Sequence, residues 1–191
     1  MTPSPTKRHR EGAEKRIPAW VPLLLIALFF VLILGGTRLG VRAWVVYRIW
    51  EQLDNWNQDG VLIQTTKFSC VPCSIVMLLK DEGIEASAAR VAWIAGTDLK
   101  GTAPEGIKRA GKYYGFDVRE TEMGFEELME ANLPAIVEFW HEGILHAVYV
   151  RPDPRNGRLV IKNPSVGLVY TQRSDVQRHF GSDRWDVFLF E

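Results

Sequence analysis

From Ile17 to Thr37 the chain carries no charged side chain: IPAWVPLLLIALFFVLILGGT. A membrane-spanning helix needs about 20 mostly apolar residues, whereas a buried core helix rarely has more than ~14 in a row. A cleaved signal peptide has an apolar region of about 7–15 residues and then a small-residue cleavage site. This run is longer, and the TRLGVRAWVVYR that begins at its end offers no such site. Residues 17–37 are therefore expected to be a retained transmembrane helix. The polar tail before it, 1–16, holds Pro3, Pro5 and the basic run KRHR. Lys7, Arg8, Arg10, Lys15 and Arg16 precede the span, and Arg38, Arg42 and Arg48 follow it. The excess of cations on the first side places the N-terminus in the cytoplasm and the main domain outside it.

Residues 38–59 include VRAWVVYRIWEQLDNW, an amphipathic pattern with Trp44, Tyr47 and Trp50 among apolar neighbours. Two readings stay open: a helix lying along the membrane interface, or a stalk packed on the domain that follows. The formal net charge is +0, which gives no electrostatic footprint for nucleic acid. Two cysteines are too few for a disulfide scaffold, and a zinc site would need histidine or carboxylate to complete it.

The domain is expected over 60–191. CVPCSIVMLLKDEG reads as a helix ended by Gly83, with Pro72 tolerated only in its first turn and Ser69 placed as its N-cap. SAARVAWIAG and APEGIKRAGKYYG read as two more helices stopped by glycine. FDVRETEM is strand-like and GFEELMEANL helical. PAIVEFW, HAVYVRP, GRLVIKN and LVYTQR follow as strands, with Asn156-Gly157 as a hairpin signal. SDVQRHFG is a short helix and RWDVFLFE a closing strand. Helices first and antiparallel strands later predict an α+β fold rather than a doubly wound parallel sheet.

The chemistry turns on Cys70 and Cys73. A nucleophilic thiol needs a lowered pKa, and a helix N-terminus supplies part of that shift. Cys70 holds that position; Cys73 lies one turn inside, where a side chain packs inward. Of four histidines, His9 is in the tail, His141 in a turn-like WHEG and His179 in a polar helix. His146 opens the alternating strand HAVYV, where an imidazole is held rigidly. Asn163, ending the next strand, can accept a hydrogen bond from it. Gln64 can aim its amide N–H at an oxyanion. Each of these residues, taken singly, reads as structural or as surface.

Together and in this order they resemble the bacteriocin-processing cysteine peptidases, the papain-like family that cleaves leader peptides after a double glycine. In that family a glutamine precedes the nucleophilic cysteine by six residues, as Gln64 precedes Cys70. The helix CVPCSIVMLLKDEG, the stretch GTAPEGIKRAGKYYGFDV, the strand pair LPAIVEFWHEGILHAVYV and the turn RLVIKNPSVG are similar to the family's successive motifs. The likeness runs from Val61 to Glu191. It implies a papain-like peptidase fold, with helices packed on an antiparallel sheet. It implies Cys70 as nucleophile, His146 as general base and then acid, and Asn163 as the residue that orients His146. Gln64 and the Cys70 backbone N–H would form the oxyanion hole. The implied reaction passes through a thioester, on a peptide or protein substrate bearing a Gly-Gly leader, with an export system as partner and no cofactor.

Three positions depart from the family pattern. Val71 stands where glycine is usual, and its side chain is expected to narrow the substrate channel or tilt the oxyanion N–H. Cys73 stands where alanine is common. Asn163 replaces an aspartate, losing a charge and keeping an acceptor. Two other readings remain: a non-catalytic peptidase-like binding module, and a membrane-anchored thioredoxin-like oxidoreductase using Cys-x-Pro-Cys. The second leaves Gln64, His146 and Asn163 unexplained.

Overall fold

A computed structural model describes residues 20–51, 55–141 and 143–191. The basic tail and the first residues of the expected span lie outside them. Helix α1, Trp20–Trp50, runs unbroken through Gly35, Gly36 and Gly40, so no break marks the end of the expected span. From Ile26 to Trp50 it is long and apolar enough to cross a membrane, with a mean hydropathy of 1.7. The chain divides after Arg38 into two compact units.

The second unit, Leu39–Glu191, begins with the end of α1. Val45 and Ile49 are fully buried in its core, while Trp44, Tyr47 and Trp50 on the other face are about half exposed. Of the two readings of this segment, the apolar stripe at i and i+4 answers to the packed one. The segment thus supplies the core with two side chains, Val45 and Ile49.

Helix α2, Cys70–Asp81, is apolar all round and is buried along Cys70 to Leu79, as such a helix must be. Ser69 holds the N-cap position, but its side chain does not cap the helix. Its hydroxyl donates to the Thr66 carbonyl oxygen at 3.0 Å instead. Helix α3, Ala88–Ala95, is capped by Ser87, whose Oγ accepts the Arg90 N–H at 3.2 Å, and stops at Gly96 with φ 73°. Helix α4, Pro104–Tyr113, needs glycine twice. A Cβ on Gly106 would collide with the Ala95 carbonyl oxygen, and one on Gly111 with Val118.

The strands are β1 Val118–Met123, β2 Ala135–His141, β3 Ile144–Asp153, β4 Arg158–Asn163, β5 Gly167–Thr171 and β6 Trp185–Phe190. They form one antiparallel sheet in the order β1-β6-β2-β3-β4-β5. Helix α5, Phe125–Ala131, follows β1. The expected helix near 174–181 is a 3-10 turn, Arg173–Asp175, leading into the short α6, Val176–Phe180. Side chains alternate between two cores, as strand geometry requires. Ile136, Ala147, Tyr149 and Phe188 pack with α2 and α3. Ala135, Val137, Val148, Val150 and Val187 pack with Leu128 of α5 and Val176 and Phe180 of α6. The architecture is the expected α+β one.

One irregularity positions the site. β4 pairs with β3 only from Tyr149 to Asp153. The first half of β3, Ile144–Val148, has β2 on one side and no ladder partner on the other. The N-terminal turn of α2 meets the sheet there.

Candidate active site

The unpaired edge of β3 leaves the backbone of Ala147 open to α2. The Ser74 hydroxyl, one turn into the helix, donates to the Ala147 carbonyl oxygen at 3.2 Å. The Cys70 sulfur faces the Ala147 N–H, together with the N–H groups of Val71 and of Cys70 itself. The Ser69 side chain makes no cap hydrogen bond to these helix-start donors. Cys70 is thus tied to the residue that follows His146.

His146 is 8% exposed. Its Nε2 lies 2.9 Å from Asn163 Oδ1. Phe139, its partner across the β2–β3 ladder, meets the imidazole edge-on, with ring centroids 5.6 Å apart at 87°. Phe139 is itself wedged against Phe180 at 4.9 Å. Asn163 ends β4, and Gly167 opposite it, at φ 105°, closes the tight β4–β5 turn. The Ser165 N–H in that turn also donates to Asn163 Oδ1, at 2.9 Å.

Gln64 is brought in by the same turn: its backbone N–H donates to the Pro164 carbonyl oxygen at 2.8 Å. Its side-chain Oε1 is buried without a hydrogen-bond partner among the described residues. Three separate contacts thus join Gln64 to Pro164, Asn163 to His146 and Ala147 to Cys70, with Pro164 next to Asn163 and Ala147 next to His146 in sequence; a direct contact of the Cys70 and His146 side chains is not among those of the described residues. A cavity of about 200 Å³ opens beside His146 and Asn163, lined also by Ser165, Phe139, His141 and Val166, among others; Cys70 and Gln64 are not part of its wall. His141 is exposed, and His9 lies outside the described residues.

Electrostatics differ from the simple helix-start picture. Burial raises the Cys70 pKa above its ordinary value; the Ala147, Val71 and Cys70 N–H groups pull it down, and the Glu138 carboxyl pushes it up. Burial outweighs the helix terminus. Burial also lowers the His146 pKa, opposed by its hydrogen bond to Asn163 and reinforced by His141. Both groups therefore favour their neutral forms. Cys73 is 1% exposed, and burial first, then Cys70, pushes its thiol up to about 12. Both cysteines are free thiols. Val71 is buried in the core with only 2% exposure, and does not wall a channel as its bulk suggests.

Ser74, Phe139, Ser165 and the Ala147 backbone are features that sequence reasoning missed. Only Ser74 left a signal, as the one hydroxyl inside the apolar run CSIVMLL.

A model of the peptidase C39 family matches residues 59–183. An uncharacterized protein of Methanothermobacter thermautotrophicus is 24% identical over 122 residues, which is 64% of this chain and 83% of that protein. The lactococcin-G-processing and transport ATP-binding protein LagD of Lactococcus lactis is 34% identical over 74 residues, 39% of this chain and 10% of that longer protein. Among solved structures, the peptidase domain of Streptococcus ComA, a bifunctional ABC transporter, matches with a TM-score of 0.56 at 23% identity, over 67% of this chain and 95% of that domain. A double glycine motif protease from an AMS/PCAT transporter, solved with its leader peptide, matches with a TM-score of 0.56 at 20% identity, over 69% of this chain and 91% of that one. At these identities the two structures establish a shared fold.

Proposed function

The chain belongs to the peptidase C39 family, and on that basis we propose that it is a membrane-anchored cysteine endopeptidase that cleaves peptides after Gly-Gly. The observation that carries the reading is the bond from His146 Nε2 to Asn163 Oδ1. With Nε2 committed to the asparagine, Nδ1 is the ring nitrogen left to act as base.

In this reading His146 Nδ1 takes the proton from the Cys70 thiol as the sulfur attacks the scissile carbonyl carbon. Neither group needs to be charged beforehand, which suits two buried neutral partners. Negative charge moves to the carbonyl oxygen, where the Gln64 side-chain amide and the Cys70 backbone N–H receive it. His146 then returns the proton to the leaving amine, and the peptide is held as a thioester on Cys70. Water, deprotonated by His146, releases the acid product and restores the thiol. Asn163 keeps the imidazole in one orientation throughout.

In this reading the anchor is the apolar stretch 17–37, which leads into the rest of α1, and the peptidase domain lies outside the cytoplasm. The likeness to a lactococcin-processing transport protein, to an ABC transporter's peptidase domain and to a double glycine motif protease solved with a leader peptide supports a peptide substrate carrying a leader, delivered with an export system. The test is cleavage of a synthetic Gly-Gly leader peptide by the detergent-solubilised protein, with mass-spectrometric capture of the acyl-enzyme on Cys70. Absence of both cleavage and adduct, in protein shown to be folded, overturns the reading.

A further inference from the structure

Glu138 is a buried acid that this chemistry leaves unused. It lies on β2 between Ala147 of β3 and Asp186 of β6, and is 6% exposed. Among the described residues no cation offsets it. What acts on its carboxyl is burial first, then repulsion from Asp186 and Glu120, and together they push its pKa up to about 7. Burying an unpaired carboxyl is unfavourable. Two positions earlier on the same face, the chain places Ile136.

The sheet shows what the acid faces. The β2–β6 ladder ends at Glu138 and Asp186, while β2 continues to His141 paired with β3 alone. Where β2 and β6 part, a cavity of about 340 Å³ opens, lined in part by Glu138, Glu122, Asp186, Trp140, Leu145 and Arg184. The cation in this wall is already committed: Arg184 pairs with Glu122 at 2.9 Å and Glu127 at 3.0 Å. Glu120, nearby on β1, is paired with Lys108. The unbalanced charge is that of Glu138 and Asp186. Trp140, 70% exposed, adds an aromatic surface of the kind that attracts cations. Glu138 is paired across the ladder with Ala147, whose N–H faces the Cys70 sulfur, and its carboxyl raises the pKa of that thiol.

We propose that this cavity is a substrate subsite for one basic side chain, lysine or arginine, carried near the scissile bond, with Glu138 as its counter-ion. The proposal rests on the peptidase reading. An ammonium or guanidinium entering the cavity supplies the charge that Glu138 and Asp186 lack, and the wall repels an acidic side chain at the same place. Glu138 thereby selects among substrates rather than taking part in bond cleavage.

The test uses the full chain and a set of Gly-Gly peptides with a single lysine stepped through the positions flanking the cleavage site, each matched by a glutamine peptide. At one position the lysine peptide is expected to be preferred in kcat/KM by about 10–10³-fold, the range for a desolvated charge pair. The difference should lie mainly in KM. Glu138→Gln should bring that ratio towards one, and Glu138→Asp should restore part of it. Equal kcat/KM for lysine and glutamine at every position overturns the proposal, whether or not the variants fold. If no peptide is cleaved, the peptidase reading fails, and binding of the same peptides to Cys70→Ala protein decides. A lysine preference there sustains the subsite, and equal affinity removes it.

Discussion

The Nε2 atom of His146 and the Oδ1 atom of Asn163 are 2.9 Å apart, and the same oxygen accepts the Ser165 backbone N–H at 2.9 Å. The backbone donor identifies that atom of the asparagine as its oxygen, because an amide nitrogen could not accept there. An oxygen facing Nε2 requires Nε2 to carry the proton. The neutral imidazole is thus held with Nδ1 bare, which is the form a general base needs.

Asn163→Ala should therefore lower kcat by on the order of 10²-fold, the scale of a mispositioned catalytic group. His146→Ala should reduce cleavage to background. Asn163→Asp should keep most activity and move the acid limb of the pH profile upward, because a carboxylate favours the imidazolium. Steady-state kinetics of the three variants provide the check. Equal losses for Asn163→Ala and His146→Ala would give Asn163 more than an orienting role.

Burial holds the His146 pKa below its ordinary value of about 6.5. The base therefore stays neutral below that pH, and the acid limb of kcat/KM should fall under pH 6.5. Stability carries the matching sign. Below about pH 6.5 the unfolded chain takes up a proton that the folded imidazole resists, so this contribution is lost as pH falls through the folded pKa. His146→Gln should flatten thermal stability against pH in that window. An acid limb above pH 6.5 in the wild type would contradict the assignment of His146 as base.

The two thiols should react unequally. Cys73, pushed up to about 12 and deep in the core, should resist iodoacetamide at neutral pH, while Cys70, at the start of α2, should label first. Burial keeps the Cys70 thiol protonated, so its labelling should slow sharply in His146→Ala and recover at alkaline pH. Cys73→Ala should leave most cleavage intact. Peptide mapping after timed alkylation gives both rates. Preferential labelling of Cys73 would favour dithiol exchange chemistry.

The periodicities of CVPCSIVMLLKDEG and HAVYVRP, with glycine stops and an Asn-Gly turn, were enough to read the helices and strands. Local pattern dictates local structure wherever burial does not overrule it. The electrostatics were not legible. A helix-start cysteine suggested a lowered pKa, but the first turn of α2 is buried from Cys70 onward, and desolvation depends on what packs over the helix rather than on the helix itself. The role of Ala147 was equally hidden. Its backbone is open only because the β3–β4 register ends at Tyr149, and register is a property of two strands together. Glu138 read as one more residue in an apolar strand until Asp186 was placed beside it.

Truncation separates core from tether. Protein beginning at Leu39 keeps Val45 and Ile49 in the core and should fold. Protein beginning at Glu51 loses both, and each fully buried aliphatic side chain contributes roughly 1.5–3 kcal/mol. The shorter form should melt at a clearly lower temperature or aggregate. Identical melting of the two would make the end of α1 an appendage.

Gln64 offers the sharpest contrast between stability and turnover. Its backbone is fixed by the Pro164 carbonyl oxygen, yet its buried Oε1 has no partner among the described residues. A buried polar atom left unpaired costs about 1–3 kcal/mol. An orphaned oxygen works against stability, and an amide kept there at that cost suits an oxyanion donor, whose N–H is the group that would face the carbonyl oxygen. Gln64→Ala should therefore reduce kcat by roughly 10²–10³-fold, the usual loss for one oxyanion donor, with KM little changed. Thermal stability should be equal or slightly higher, because the orphaned oxygen is gone. Gln64→Glu should be worse than alanine, since a carboxylate would face the developing negative charge. Calorimetry and single-turnover cleavage on the same samples separate the possibilities. A melting temperature that falls in step with kcat would assign Gln64 to the scaffold and leave the oxyanion to backbone N–H groups alone.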